Sequence, residues 1–351
     1  MTRAPVVLPA LVALSLVACG PLPTSGDPSG GSPETPGQSR CRLGAALEEV
    51  KSFGANPGGL AMFVHAPPGG TANAVVVAMH GCTQSASDYT AAGWNELADR
   101  AGFAVVYPQQ SSSNNMNRCF NWFEKGDIAR GQGEARSIAS MTEHALATYG
   151  AKRAFVTGLS AGAAMTAVML ATYPDLFEAG AIMAGIPYGC ASTMNEAFTC
   201  MSGKQSTPSA WAALVPNVEG ATAPRVSIFH GTTDWTVRPS NMTALVGQWT
   251  AVNGIASEPT ATSTEGRATH AQYQDGAGVT RVETWSIEGM SHGVAVSPSQ
   301  GCGRAGAFVL DVGLCSTMKA AEFFGLVDPA TGAPVDPPPP SSSGTAAPPC
   351  E

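Results

Sequence analysis

The sequence predicts an α/β fold: a mostly parallel central sheet with helices on both faces. Three observations carry this. Short, continuously apolar runs such as Ala74-Val75-Val76-Val77-Ala78-Met79 alternate along the chain with longer segments of helical period. That is the pattern of strands buried on both faces and joined by crossover helices. One junction of this kind holds Gly158-Leu159-Ser160-Ala161-Gly162, between the apolar run Ala154-Phe155-Val156-Thr157 and an alanine-rich segment. Finally, 351 residues that are 44% hydrophobic and only 13% charged are enough for one large core.

The elements follow in order. Behind Arg3, Val6 to Ala18 is apolar but too short to span a bilayer, so residues 1–18 read as an export signal. The run ends Leu16-Val17-Ala18-Cys19-Gly20, which resembles a bacterial lipobox. Cleavage before Cys19 and lipidation of its thiol are expected, making this anchor the sole membrane contact; an ordinary secretory signal is the alternative. A cell-envelope lipoprotein or an extracellular protein follows. Residues 19–40 are rich in Gly, Pro and Ser without apolar periodicity, and read as a flexible tether.

The folded region is assigned to residues 41–328. Strands are expected at Ala74–Met79, at Phe103–Tyr107 (ended by Pro108), at Arg153–Thr157, Ala179–Ala184 and Arg225–His230, with Val282–Ile287 as the last. Helices are expected at Trp94–Ala101, Glu134–Tyr149, Ala161–Ala171 and Ser240–Asn253. Residues 329–351 form a Pro/Ser-rich tail, with Pro337 to Pro340 extended as polyproline II. No appended substrate-binding module is expected beyond it.

A net charge of −8 and a pI near 5.3 argue against nucleic acid as a partner. Without Cys19, eight cysteines remain: Cys41, Cys82, Cys119, Cys190, Cys200, Cys302, Cys315 and Cys350. An even number in an exported chain reads as a disulfide framework, although eight cysteines permit 105 pairings. Cys190–Cys200 and Cys302–Cys315 are local pairs, each worth about 2–3 kcal/mol by loop closure. Cys350 is expected to pin the tail, with Cys41 as a candidate partner. No C-x-x-C or clustered Cys/His spacing is present, so no metal site is expected; the acyl-transfer chemistry read from the serine motif below calls for no organic cofactor either.

The Gly-x-Ser-x-Gly stretch has the strand–turn–helix context of a nucleophile elbow. Two glycines permit the tight turn and the close approach of strand and helix. Ser160 then stands at a helix start, where free N–H groups favour developing negative charge. A serine nucleophile needs a base, and the base an orienting acid; in an α/β-hydrolase they follow in the order serine, acid, histidine. Of six histidines only His230, His270 and His292 follow Ser160. His230 ends an apolar strand ahead of Gly231-Thr232-Thr233-Asp234, which places Asp234 where the acid belongs and gives His230 a structural reading. His270 lies in a polar stretch and reads as a solvated surface residue. His292 sits in a Gly-flanked loop after the final strand and is the expected base. Asp275, Glu283 and Glu288 stay open as acids on spacing alone, though none is expected to follow a buried strand. The oxyanion donors are assigned to the backbone N–H groups of Cys82, in the turn His80-Gly81-Cys82-Thr83-Gln84, and of Ala161. An ordinary strand-ending turn is the alternative for His80-Gly81.

Seven stretches together resemble the polyhydroxybutyrate depolymerase esterase family, which includes acetylxylan and feruloyl esterases. They are His80 to Gln84, Tyr107-Pro108-Gln109-Gln110, Cys119-Phe120-Asn121-Trp122-Phe123, Gly158 to Gly162, Tyr173-Pro174-Asp175-Leu176-Phe177, Gly185-Ile186-Pro187-Tyr188-Gly189-Cys190 and His230 to Asp234. The resemblance spans roughly Leu60 to His292. It implies an α/β-hydrolase and a serine esterase with Ser160 as nucleophile, Asp234 as acid and His292 as base; separately, a monomer is expected. It further implies a Cys82–Cys119 bridge holding the oxyanion loop, and an acyl pocket walled by Trp122, Phe123, Tyr188 and Trp235; core packing is the alternative for each aromatic. Polyester of the poly(3-hydroxybutyrate) type, or its oligomers, is the expected substrate, with plant-polysaccharide esters second. A surface-binding lipoprotein on an inactive scaffold is the alternative of another class, against which the intact Ser, Asp and His set argues. One departure stands out: where the family carries an aromatic just after the base histidine, this chain has Gly293, Val294 and Ala295.

Overall fold

The computed structural model describes residues 47–335. The expected signal, Cys19, the tether, Cys41, Cys350 and the polyproline run lie outside the described residues. In chain order the elements are β1 (Glu48–Val50), β2 (Ala61–His65), β3 (Ala74–Met79), α1 (Ala86–Tyr89), α2 (Trp94–Ala101), β4 (Ala104–Gln109), α3 (Gly133–Tyr149), β5 (Arg153–Leu159), α4 (Ala161–Thr172), β6 (Ala179–Met183), α5 (Met194–Met201), α6 (Pro208–Ala212), β7 (Arg225–Gly231), α7 (Ser240–Val252), β8 (Ala261–Glu265), β9 (Ala268–Gln274), β10 (Thr280–Ile287), β11 (Val294–Val296), β12 (Val309–Asp311) and α8 (Ser316–Phe324).

Ten strands form one sheet in the order β1-β2-β4-β3-β5-β6-β7-β10-β9-β8. The six from β4 to β10 run parallel, and antiparallel strands extend both edges. The apolar runs are continuous because both faces are covered. Val75, Val77 and Met79 of β3 enter a core shared with α3, α4 and α7, while Ala74, Val76 and Ala78 enter one shared with α2 and α8. β3 has β4 on one side and β5 on the other. The chain therefore leaves the carboxyl ends of β3 and β5 in opposite senses, which opens a crevice there. His80 and Ser160 are the first residues past those two ends.

Four expectations need correction. β4 does not stop at Tyr107: Pro108 stays in the strand opposite Met62 of β2. Its missing N–H costs nothing there, because the pairing with β3 has already ended at Val106. Val282–Ile287 falls in the last strand of the main sheet, but β11 and β12 follow as a small parallel pair. His270 is not a solvated residue. It lies on β9, half-buried, with its ring stacked 4.0 Å from that of Trp285 and Nε2 2.9 Å from Glu283 Oε2. The tail expected from Pro329 begins as an ordered turn, with the Val335 N–H donating to Leu326 O and the Asp328 N–H to Ala333 O.

Candidate active site

Ser160 sits at the sharp junction of β5 and α4 with φ 57° and ψ −116°, a conformation that L-residues hold only when their surroundings impose it. The surroundings are backbone. A Cβ on Gly158 would lie 2.4 Å from the carbonyl of Gly162, and one on Gly162 would lie 2.4 Å from Met79 O and 2.6 Å from His80 O. The two glycines thus let α4 start against the end of β3. The Ser160 N–H, donating to Met183 O at 3.0 Å, ties the turn to β6.

Asp234 stands in the loop after β7, buried. Its Oδ1 accepts from the N–H groups of Thr236 and Val237, both at 2.9 Å, and its Oδ2 accepts from His292 Nδ1–H at 2.7 Å. Burial alone would raise the Asp234 carboxyl. The imidazoles of His230 and His292, with the Val237 N–H, outweigh it and hold the group well below the usual carboxylate range. His292 therefore keeps its Nδ1 proton toward a charged carboxylate, which leaves Nε2 as the free basic nitrogen. The acid and histidine loops are stitched together. The Thr233 N–H and Oγ1–H both donate to Met290 O, and the Gly289 N–H donates to Thr232 Oγ1. Gly231 makes this possible, since a Cβ there would lie 2.2 Å from Met290 O.

His230 has the structural position expected of it: Nε2–H donates to Val237 O at 2.8 Å, 3.5 Å from Asp234 Oδ2, and so pins the acid's loop. Of the rival acids, Asp275 pairs with Arg281. Glu283 is buried inside β10, bonded to Ser227, Trp285 and His270. Glu288 does follow a buried strand, contrary to expectation, but it is exposed.

The turn after β3 is held from three sides. Cys82 is bridged to Cys119, the Thr83 N–H donates to Asn117 O at 2.7 Å, and Gln84 Oε1 accepts from the Gly81 N–H at 2.9 Å. Among the described residues the Cys82 N–H has no hydrogen-bond partner. The Ala161 N–H opens α4 and so has no acceptor within its helix. Beneath the turn, His80 is fully buried. Its Nδ1–H donates to Gly81 O at 2.7 Å and its Nε2 accepts from the Gln110 N–H at 3.2 Å. Burial, against the Gly81 hydrogen bond, holds its pKa down to about 4. Glu134 supports the neighbouring segment by accepting from Gln110 Nε2, Asn114 Nδ2 and the Asn121 N–H. Burial pushes its carboxyl up to about 8, against the Asn121 and Gln110 hydrogen bonds.

These groups surround one cavity of about 400 Å³. Cys82, Ser160 and His292 line it with Trp122 and Phe123, and α5 adds Met194, Ala197, Phe198 and Met201. Tyr188 and Trp235, expected as walls, do not line it. The Tyr188 backbone is bonded to Gln248, and Trp235 is 75% exposed with the Arg238 guanidinium 4.3 Å over its ring. Sequence reasoning missed α5 and Phe308 as cavity walls. The Cys190–Cys200 bridge, which spans α5, was the one available pointer to it. Cys302–Cys315 is the third disulfide among the described residues. No group of His, Cys, Asp and Glu suited to a metal ion occurs among the described residues.

The family model described as esterase PHB depolymerase matches residues 60–272. Poly(3-hydroxyalkanoate) depolymerase C of Paucimonas lemoignei is 50% identical over 292 residues, covering 80% of this chain and 70% of that protein. An acetylxylan esterase of Coprinopsis cinerea is 36% identical over 274 residues, covering 72% and 71%. The solved acetyl xylan esterase from Aspergillus awamori superposes with a TM-score of 0.68 at 27% identity, covering 81% of this chain and all of that one.

Proposed function

This chain belongs to the esterase PHB depolymerase family, and we propose that it is an exported serine esterase acting on poly(3-hydroxybutyrate)-type polyester or its oligomers. The fold is that of an α/β-hydrolase and the protein is a carboxylic ester hydrolase. Ser160 Oγ attacks the ester carbonyl while His292 Nε2 takes its proton. Asp234 fixes the histidine tautomer and stabilises the imidazolium. The N–H groups of Cys82 and Ala161 receive the oxyanion. His292 then protonates the departing alcohol, and a water deprotonated by the same nitrogen releases the acyl group.

The observation that carries the polyester reading is the rim of the cavity. Of eight large hydrophobic side chains exposed among the described residues, three, Met194, Phe198 and Phe308, line this one cavity. Exposed apolar side chains gathered at one mouth fit a water-insoluble chain better than a hydrated sugar. A polysaccharide-ester reading draws on Trp235, whose ring face away from the Arg238 guanidinium is a surface on which a sugar can stack. The test is release of product from hydroxybutyrate oligomer, acetylated xylan and methyl ferulate at matched ester concentration. Hydroxybutyrate released at least tenfold faster is expected; dominant acetate or ferulate release would move the assignment to polysaccharide.

Export is supported by the three disulfides, which persist in an oxidising compartment. Lipidation at Cys19 is tested by Cys19→Ala, which should release the protein from the membrane fraction; retention there would contradict it.

A further inference from the structure

The aromatic expected just after the base histidine is absent from the sequence, yet His292 does have an aromatic neighbour. Phe308 sets its ring edge-to-face on the imidazole, with centroids 6.1 Å apart and planes at 75°. It lines the same cavity as Ser160 and is 42% exposed. We propose that Phe308 is a specificity-determining residue that selects apolar acyl chains over acetyl.

Three features hold Phe308 in place. The residue adopts φ +59°, unusual for a non-glycine side chain, so the surrounding backbone dictates its direction. β12 begins at the next residue and pairs with β11, and the Val294 N–H donates to Phe308 O at 2.9 Å. The segment is closed by Cys302–Cys315 and tied to the short turn that precedes α2, where the Arg304 N–H donates to Ala91 O. Gly293 then has a reason to be glycine. A Cβ there would lie 2.8 Å from Phe308 O and 3.0 Å from Leu310 Cδ1. A side chain at position 293 would meet the backbone carbonyl of residue 308 and the Leu310 side chain, so the segment that carries Phe308 packs this closely only against a glycine.

Phe308 is also coupled to the oxyanion turn. Gln84 is buried; its Oε1 accepts from the Gly81 N–H and its Nε2 donates to Ala307 O at 3.3 Å. The ring is therefore referenced to both the histidine and the oxyanion turn. A wall fixed to both discriminates by the apolar contact it offers the acyl chain, and a lost methylene contact in such a pocket is worth tenfold or more in kcat/KM.

The inference rests on the reading of Ser160 as nucleophile. The test measures kcat/KM for p-nitrophenyl acetate and p-nitrophenyl butyrate in the wild type and in Phe308→Ala, Phe308→Leu and Ser160→Ala. Phe308→Ala is expected to lose about tenfold on butyrate and less than threefold on acetate, with Phe308→Leu recovering most of the butyrate preference. An unchanged butyrate-to-acetate ratio in Phe308→Ala, whether both rates fall together or neither falls, would overturn the proposal. Ser160→Ala separates the two failures. If it keeps turnover, the nucleophile reading fails. If it is inactive while the ratio in Phe308→Ala is flat, only the role of Phe308 fails.

Discussion

Gly162→Ala tests how the elbow is built. Gly162 is the second residue of α4, and the added Cβ would lie 2.4 Å from Met79 O, 2.6 Å from His80 O and 2.7 Å from the Met79 carbonyl carbon. Ordinary contact for a Cβ begins at 3.4 Å, so the start of α4 and the end of β3 must separate by 3.4 − 2.4 = 1.0 Å. β3 is paired on both sides at the centre of the sheet, so most of that movement falls on α4. Ser160 and the Ala161 N–H move with the helix, whereas the Cys82 N–H stays with β3. A misplacement of about 1 Å in a reacting constellation costs about 10²-fold in rate, and overpacking of this kind costs about 1–3 kcal/mol of stability. The assay is kcat/KM on p-nitrophenyl butyrate together with urea unfolding. Gly276→Ala serves as the control, since nothing lies within 4 Å of a Cβ there. A Gly162→Ala protein with wild-type kcat/KM would refute the reasoning, because the close approach would then have no bearing on the site.

Two further outcomes are expected. Asp234→Asn presents an amide where His292 Nδ1–H needs an acceptor, so kcat should fall about 10⁴-fold with the fold retained; a loss under tenfold would show that the carboxylate does not set the tautomer. His80 takes up its proton near pH 4 in the folded protein but near 6.5 when unfolded. Between those values the unfolded chain binds the proton that the folded one refuses, so stability falls as pH drops from about 6.5 to about 4, by up to about 3 kcal/mol. The wild type should lose this stability relative to His80→Asn in unfolding experiments across that range, and parallel pH profiles would contradict the buried neutral histidine.

What the sequence displayed and what it hid divide along physical lines. The central strands were legible because burial on both faces leaves Ala74–Met79 or Ala179–Met183 without polar residues. β8, which reads Ala-Thr-Ser-Thr-Glu, is exposed throughout, and such an edge strand carries no apolar signature. His270 was misread for the same reason: its strand is polar in sequence, and its burial comes from Trp285 and Glu283 on β10. In the site, Ser160, Asp234 and His292 were singled out because each follows a recognisable strand. The cavity walls were not legible. Trp235 was expected from the family resemblance, yet its ring is 75% exposed and does not line the cavity. Met194, Phe198 and Phe308 reach the cavity only through the docking of short, disulfide-held segments, which no local pattern encodes.

The central claim is that Ser160 becomes acylated. Reaction with a fluorophosphonate followed by peptide mass spectrometry tests it most directly. The account predicts one phosphonyl adduct, on Ser160, with simultaneous loss of esterase activity and no adduct in a folded Ser160→Ala protein. An adduct on another residue, or undiminished hydrolysis by Ser160→Ala, would contradict it.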